Sequence, residues 1–335
     1  MFRSGHFGLG TRGLNRFQQN LTPAAIGTGI WIRFCCIGMG AIALSFWCSA
    51  ALAQATLTQA EVYKINNRVE INRQDQGNWS PASVGATLVP RDAVRTAAQS
   101  RAELLFNEGT LVRTGEGTIF RFPPGRRSFE LVDGSAVIMI RPGQGSSTIT
   151  TPQAIITTHG TALFIQHSPT QNASVVGVLT DSPAGPVTVS DAAGHATVQL
   201  NAGQFVSVAN GVIGLVENFI LPMFYQSVDL AAGLAAGQES AIASESPEVQ
   251  TTLNAVRAET LEPLKNQTVW LQSFCRANAG MLQNLLQDSP LLRLVLPGSI
   301  PSPQVTLQIP QSDLVVAPVR SLAGLMWLGT YCESH

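Results

Sequence analysis

The chain has 335 residues, enough for about two domains of ordinary size. Charged residues make up only 12% against 45% hydrophobic, about half the usual charged share of roughly 25%, so Ser, Thr, Asn and Gln must carry the surface. Beyond residue 53 there are 16 basic residues, the total of 20 less four arginines, against 21 acidic ones. That balance argues against nucleic acid and against an anionic membrane surface, both of which need clustered Lys and Arg.

The first 53 residues hold Arg3, Arg12, Arg16 and Arg33, no Lys, Asp or Glu, and the apolar run Phe34 to Ala50 ahead of Ala51-Leu52-Ala53. A positive region, an apolar core and a small-x-small site predict a secretory signal peptide cleaved after Ala53, leaving the rest periplasmic. The alternative is an uncleaved inner-membrane anchor, for which the 17-residue run lies at the short end of what crosses a core of about 30 Å. Cys35, Cys36 and Cys48 fall in this segment. The other two, Cys275 and Cys332, form either one disulfide in an oxidising compartment or two separate thiols.

From Val62 to about Leu215 the chain reads as short strands divided by turn residues. Candidate strands are Val62 to Ile71, Trp79 to Leu88, Ala102 to Phe106, Thr118 to Phe122, Phe129 to Val132 and Ala136 to Arg141. Asp133-Gly134 between two apolar runs predicts a tight hairpin, because both residues tolerate positive φ. Ile149 to Ile165, rich in β-branched residues, is the expected central strand pair, with Gly160 marking a bulge or a close backbone approach. Further strands are Ala173 to Leu179, Val187 to Ser190, Thr197 to Leu200 and Phe205 to Val208, with turns at Asp191 to Gly194 and at Asn210-Gly211. Strands about ten residues apart, without helical periodicity between them, imply a sandwich, barrel or coiled β-stack. Gly109, Gly134 and Gly160 lie 25 and 26 residues apart, a weak hint that successive strand pairs stack.

After Val216 the pattern changes. Phe219 to Ser244, rich in Ala and Gly, reads as a linker with weak helix, and Ser246-Pro247-Glu248 as a helix start. Pro263 is expected to break or kink this helix. Leu264 to Asp288 then places Leu264, Leu271, Phe274, Cys275, Leu282, Leu285 and Leu286 on one face. From Pro290 recurring prolines predict an extended tail. The expected division is a signal peptide at 1–53, a β domain at 54–216, a linker and helical region at 217–289 and a Pro-rich tail at 290–335.

No residue pattern predicts a catalytic, metal or cofactor site. His159 and His167 lack a carboxylate or thiol at ligand spacing, and Gly115-Glu116-Gly117 and Gly143-Gln144-Gly145 lack the strand-to-helix setting of a phosphate loop. Asp92, Glu108 and Asp133 sit in turns, where carboxylates commonly organise the backbone. The tightest basic cluster is Arg121, Arg126 and Arg127 around Pro123-Pro124-Gly125, a candidate interaction loop for carboxylates or phosphates. Exposed strand edges offer a second mode, in which an extended partner adds a strand.

Several motifs in order carry a family resemblance. Pro90-Arg91-Asp92-Ala93-Val94-Arg95-Thr96 leads into Ser100 to Arg113. It is followed by Leu131-Val132-Asp133-Gly134-Ser135-Ala136-Val137, by Thr151-Pro152 ahead of Gly160-Thr161-Ala162-Leu163-Phe164, and by Leu200-Asn201-Ala202-Gly203-Gln204. Over about Val62 to Val208 the chain resembles the FecR domain family. The resemblance implies a mainly β extracytoplasmic domain without catalytic activity. Well-known members of the family span the inner membrane and relay occupancy of an outer-membrane receptor to a cytoplasmic sigma factor. Here only about 33 residues precede the apolar run, which fits a signal peptide. The expected function is therefore a periplasmic protein-binding or scaffold module whose partner is an envelope protein or polymer. The alternative is the membrane-anchored sigma-factor relay.

Overall fold

The computed structural model describes residues 56–125, 127–235, 237–288 and 331–332; the expected signal segment and nearly all of the Pro-rich tail lie outside them. The first expected strand divides into β1 (Ala60–Asn66) and β2 (Val69–Asn72), broken at Asn67, whose φ is 60°. The chain continues through β3 (Trp79–Pro81), β4 (Thr87–Leu88), β5 (Ala93–Thr96), β6 (Arg101–Phe106), β7 (Leu111–Thr114) and β8 (Ile119–Arg121) to the long β9 (Ser128–Met139). Next come β10 (Ser147–Thr150), β11 (Ala154–Thr158), β12 (Ala162–Ser168), β13 (Ala173–Val178), β14 (Val187–Asp191) and β15 (Thr197–Leu200). β16 (Gln204–Ala209), β17 (Val212–Ile213) and β18 (Glu217–Asn218) complete the strands.

These strands form two facing sheets. The inner sheet runs β4-β1-β6-β7-β9-β12-β13-β16, with β17 and β18 both on the far side of β16. The outer sheet runs β3-β2-β5-β8-β9-β10-β11-β14-β15, and only its β9–β10 pair is parallel. β9 is a member of both. Its first half pairs with β8 and β10 in the outer sheet, and from Gly134 onward it pairs with β7 and β12 in the inner one.

The expected hairpin at Asp133-Gly134 is therefore a bend inside one strand. Gly134 has φ 82°, and the register against β8 shifts between Ile119 and Phe120, the signature of a bulge. Asp-Gly supplies positive φ for either purpose, so the dipeptide alone does not separate a turn from a bulge. Likewise Ile149 to Ile165 is not one strand pair. β10 and β11 lie in the outer sheet, and the chain crosses at His159-Gly160 to β12 in the inner one. Gly160, with φ 89°, makes this crossing against the backbone of Arg141 and Pro142, where a Cβ would stand 2.9 Å from each.

Burial explains the two patterns of apolar residues. In β11 and β14 alternate residues are buried, because only one face of the outer sheet meets the core. In β7, the second half of β9 and the start of β12 consecutive residues are buried, because the inner sheet is covered on both faces. Neighbours in sequence thus serve opposite cores. Leu104, Ala136, Ile138 and Leu163 pack between the sheets with Phe120, Phe129 and Val189, whereas Leu105, Val137, Met139 and Phe164 face a helical layer.

That layer corrects the expected linker. Phe219, Phe224, Tyr225 and Leu230 are buried, in and around α1 (Leu221–Ser227) and a short 3-10 turn, and α2 (Glu239–Ala243) follows. The two expected C-terminal helices are one, α3 (Pro247–Asp288), which continues through Pro263. A proline costs this helix one backbone N–H bond to the preceding turn. Val249, Leu253 and Val256, packed on the inner sheet, together with Leu271 against Ile220, hold the helix on either side of it.

Candidate interaction surface

The basic loop does not present three exposed guanidinium groups. Arg121 is half exposed on the outer face, 3.7 Å from the Glu130 carboxylate across the β8–β9 pair. Arg127 is buried, with Nη1 3.4 Å from the Glu108 carboxylate and Nε donating to Ser147 Oγ at 2.9 Å. Arg126 lies outside the described residues. The pairing that withdraws Arg127 comes from Glu108 in the β6–β7 turn, nineteen positions away in the chain.

The three turn carboxylates do not converge either. Asp92 is buried and accepts hydrogen bonds from Arg73 Nη1 at 2.7 Å and from the backbone N–H groups of Gln74 and Val89 at 3.0 Å each. Glu108 is tied to Arg127, and Asp133 accepts from the Gly134 N–H at 2.8 Å. His167 is buried in a polar chain with Ser174 and Thr151, and burial lowers its pKa despite the opposing charge of Asp133. Among the described residues no group of three His, Cys, Asp or Glu is placed to hold a metal ion.

The sheet edges differ in what they offer. β3 ends in Pro81, which has no N–H to donate, and β4, β17 and β18 are two residues each. β15 is longer, Thr197 to Leu200, and carries neither charge nor proline. The Asp191 N–H donates to the Ala196 carbonyl at 3.2 Å, which fixes the hydrogen-bonding alternation of the β14–β15 ladder. Val198 and Leu200 therefore turn their backbone groups toward β14, and Thr197 and Gln199 turn theirs to the open side.

The outer face beside this edge is uncharged. Thr148, Thr157, Thr188 and Gln199 are successive cross-strand partners, as are Thr150, Ile155, Ser190 and Thr197. Across β8 the same face changes character. There Glu70 is paired with Arg95 at 2.6 Å and Arg68 at 2.9 Å, and Arg95 lies 4.4 Å over the Trp79 ring.

At the Leu200 end of β15 lies a pocket of about 150 Å³. Val178, Val187 and Leu200 give its apolar wall, and Thr161, Asp181 and Asn201 its polar one. Asp181 accepts the Ala202 N–H at 2.7 Å. Glu259, on α3, stands beside Thr180 and Asp181. Burial pushes its carboxyl up to about 7, the Asp181 charge adding to the rise and the Thr180 hydroxyl opposing it. Neither the acidic pair nor the open edge is marked by a local motif, because both depend on which segments become neighbours.

Cys275 and Cys332 are joined in a disulfide, with their Cα atoms 5.2 Å apart. The bond sets Tyr331 against Phe274, Leu271, Ile220 and Met223.

The described residues form a mainly β, two-sheet body with a helical cover. Residues 92–182, from β5 to the loop after β13, match the family model described as FecR protein. The match ends before β14 and β15. No curated protein matches the sequence. Two crystal structures of a protein from Parabacteroides distasonis ATCC 8503 described as an anti-sigma factor, at 1.65 and 2.50 Å, are similar at 22% identity, with TM-scores of 0.33 and 0.32. Each match covers 38% of this chain and 59% of that one.

Proposed function

We propose that this chain is a non-enzymatic, periplasmic binding module of the cell envelope that takes an extended segment of another envelope protein alongside β15. The open edge carries the reading. Thr197 and Gln199 direct N–H and C=O groups that are unpaired among the described residues outward from a strand free of the charges and prolines that usually protect edges. The uncharged outer face of β10, β11, β14 and β15 gives an added strand a sheet to extend. A non-enzymatic role is supported by the commitment of Asp92, Glu108 and His167 to buried structural partners. The exported address rests on the order of Arg residues, apolar run and Ala51-Leu52-Ala53 in the sequence.

The test is photocrosslinking from position 197 in cells of a Gram-negative host, with Gln199→Pro in the same chain as control. Proline at 199 removes an N–H that faces the open side, so the β14–β15 ladder is kept while the edge loses a donor. A crosslinked envelope protein that disappears with Gln199→Pro supports the reading; crosslinks unchanged by it overturn it. Fractionation and intact mass of the same product separate the two addresses. A soluble chain beginning at Gln54 is expected, whereas a full-length membrane-bound chain would favour the sigma-factor relay.

A further inference from the structure

The pocket beside β15 is smaller than the roughly 300 to 1,000 Å³ that small-molecule sites occupy, and its volume suits one amino-acid side chain. Its place matters as much as its size. Leu200, the last residue of β15, and Asn201 both line it, so a strand laid along β15 and running past Leu200 arrives at its mouth. Side chains of an extended strand alternate between the outer face and the core side, and one on the core side meets the pocket.

The walls divide as a long basic side chain divides. Val178, Val187 and Leu200 match a methylene stem, and the Asp181 carboxylate matches a cationic tip. Among the described residues no Lys or Arg lines the pocket. Among the described residues Asp181 has no salt bridge, and its one hydrogen bond, from Ala202, leaves its second oxygen unengaged. Glu259 stands beside Asp181 without lining the pocket, and among the described residues its buried Oε2 has no hydrogen-bond partner. The chain beyond residue 53, with 21 acidic against 16 basic residues, favours a basic partner in the same sense.

We propose that this pocket receives a single Lys or Arg side chain from the extended partner strand, an inference that rests on the reading of β15 as the docking edge. The acidic pair then selects among strands that the backbone of β15 would otherwise accept alike.

The probes are fluorescently labelled peptides of alternating Thr and Val with one variable position occupied by Arg, Lys, citrulline, Leu or Glu, titrated against the exported chain. Arg and Lys peptides are expected to bind about tenfold tighter than citrulline, since a charged hydrogen bond is worth more than a neutral one. Asp181→Asn combined with Glu259→Gln is expected to level Arg with citrulline. The amide that replaces the Asp181 carboxylate retains an oxygen for the Ala202 N–H, and a thermal melt of the variant confirms folding. An Arg peptide no tighter than citrulline, or a preference that survives the double substitution, overturns the proposal. If Gln199→Pro still abolishes binding of every peptide in that case, the edge reading stands without it. Binding by all peptides that is indifferent to Gln199→Pro, or binding by none, overturns both.

Discussion

Gly134 stands against Thr118 so closely that a Cβ on it would lie 2.5 Å from the Thr118 Cα. Thr118 in turn holds the bend, its hydroxyl accepting from the Ser135 N–H and donating to the Ser135 carbonyl, both at 3.0 Å. Gly134→Ala therefore meets two penalties, a positive φ of 82° and an overlap with backbone that cannot swing aside. We expect a loss of roughly 2 kcal/mol or more in denaturant unfolding. An alanine variant as stable as the parent would mean that β9 bends without needing this glycine.

Phe164 joins the inner sheet to its helical cover. Its ring lies 5.0 Å from Phe224 and 5.4 Å from Phe219, and it fills the space above Gly177. Phe164→Ala should cost about 3–5 kcal/mol. Loosening of the helices should appear first, as faster amide exchange in α1 ahead of the strands. Gly177→Ala presses on the same ring from below and should destabilise by roughly 1–3 kcal/mol.

Glu259 gives the fold a pH dependence of known sign. Its carboxyl titrates near 7 in the folded chain against 4.5 as reference, because burial, aided by the Asp181 charge, favours the neutral acid. The folded state thus binds more protons than the unfolded one between these values. This contribution to stability is complete below about 4.5 and is lost as pH rises through 7. Glu259→Gln should flatten the fall in melting temperature across that window. Parallel curves for the two proteins would show that the carboxyl is already charged at lower pH.

Much of the β domain is legible in the sequence, for reasons that also mark where legibility stops. Val187 to Ser190 and Thr197 to Leu200 alternate cleanly because one face is solvated, and Asn210-Gly211, with φ of 53° and 76°, is the turn its dipeptide predicts. The inner strands keep their type but hide their partners, since a residue buried on either face looks the same in sequence. Phe219 to Ser244 reads as a linker because short helices covering a sheet have too few turns to establish a period. Arg127 reads as exposed because its partner is remote in the chain. Edges are hidden for the same reason, since strand order belongs to the tertiary structure alone.

Reduction of the Cys275–Cys332 bond should act locally. The bond joins α3 to Tyr331 outside both sheets, so the main unfolding transition is expected to move little under a reductant. Proteolysis, by contrast, should begin to cut after Cys275. A large fall in the main transition would mean that Tyr331 and its neighbours support the β domain itself.

The double membership of β9 has a consequence for how the molecule comes apart. A sandwich whose layers touch only through side chains has a seam along which one layer can melt before the other. Here a single covalent strand crosses that seam, and neither sheet can lose its middle without taking the middle of its neighbour. The slowest-exchanging amides of β8, β10, β7 and β12 should therefore share one opening free energy, marking the two sheets as a single cooperative foldon.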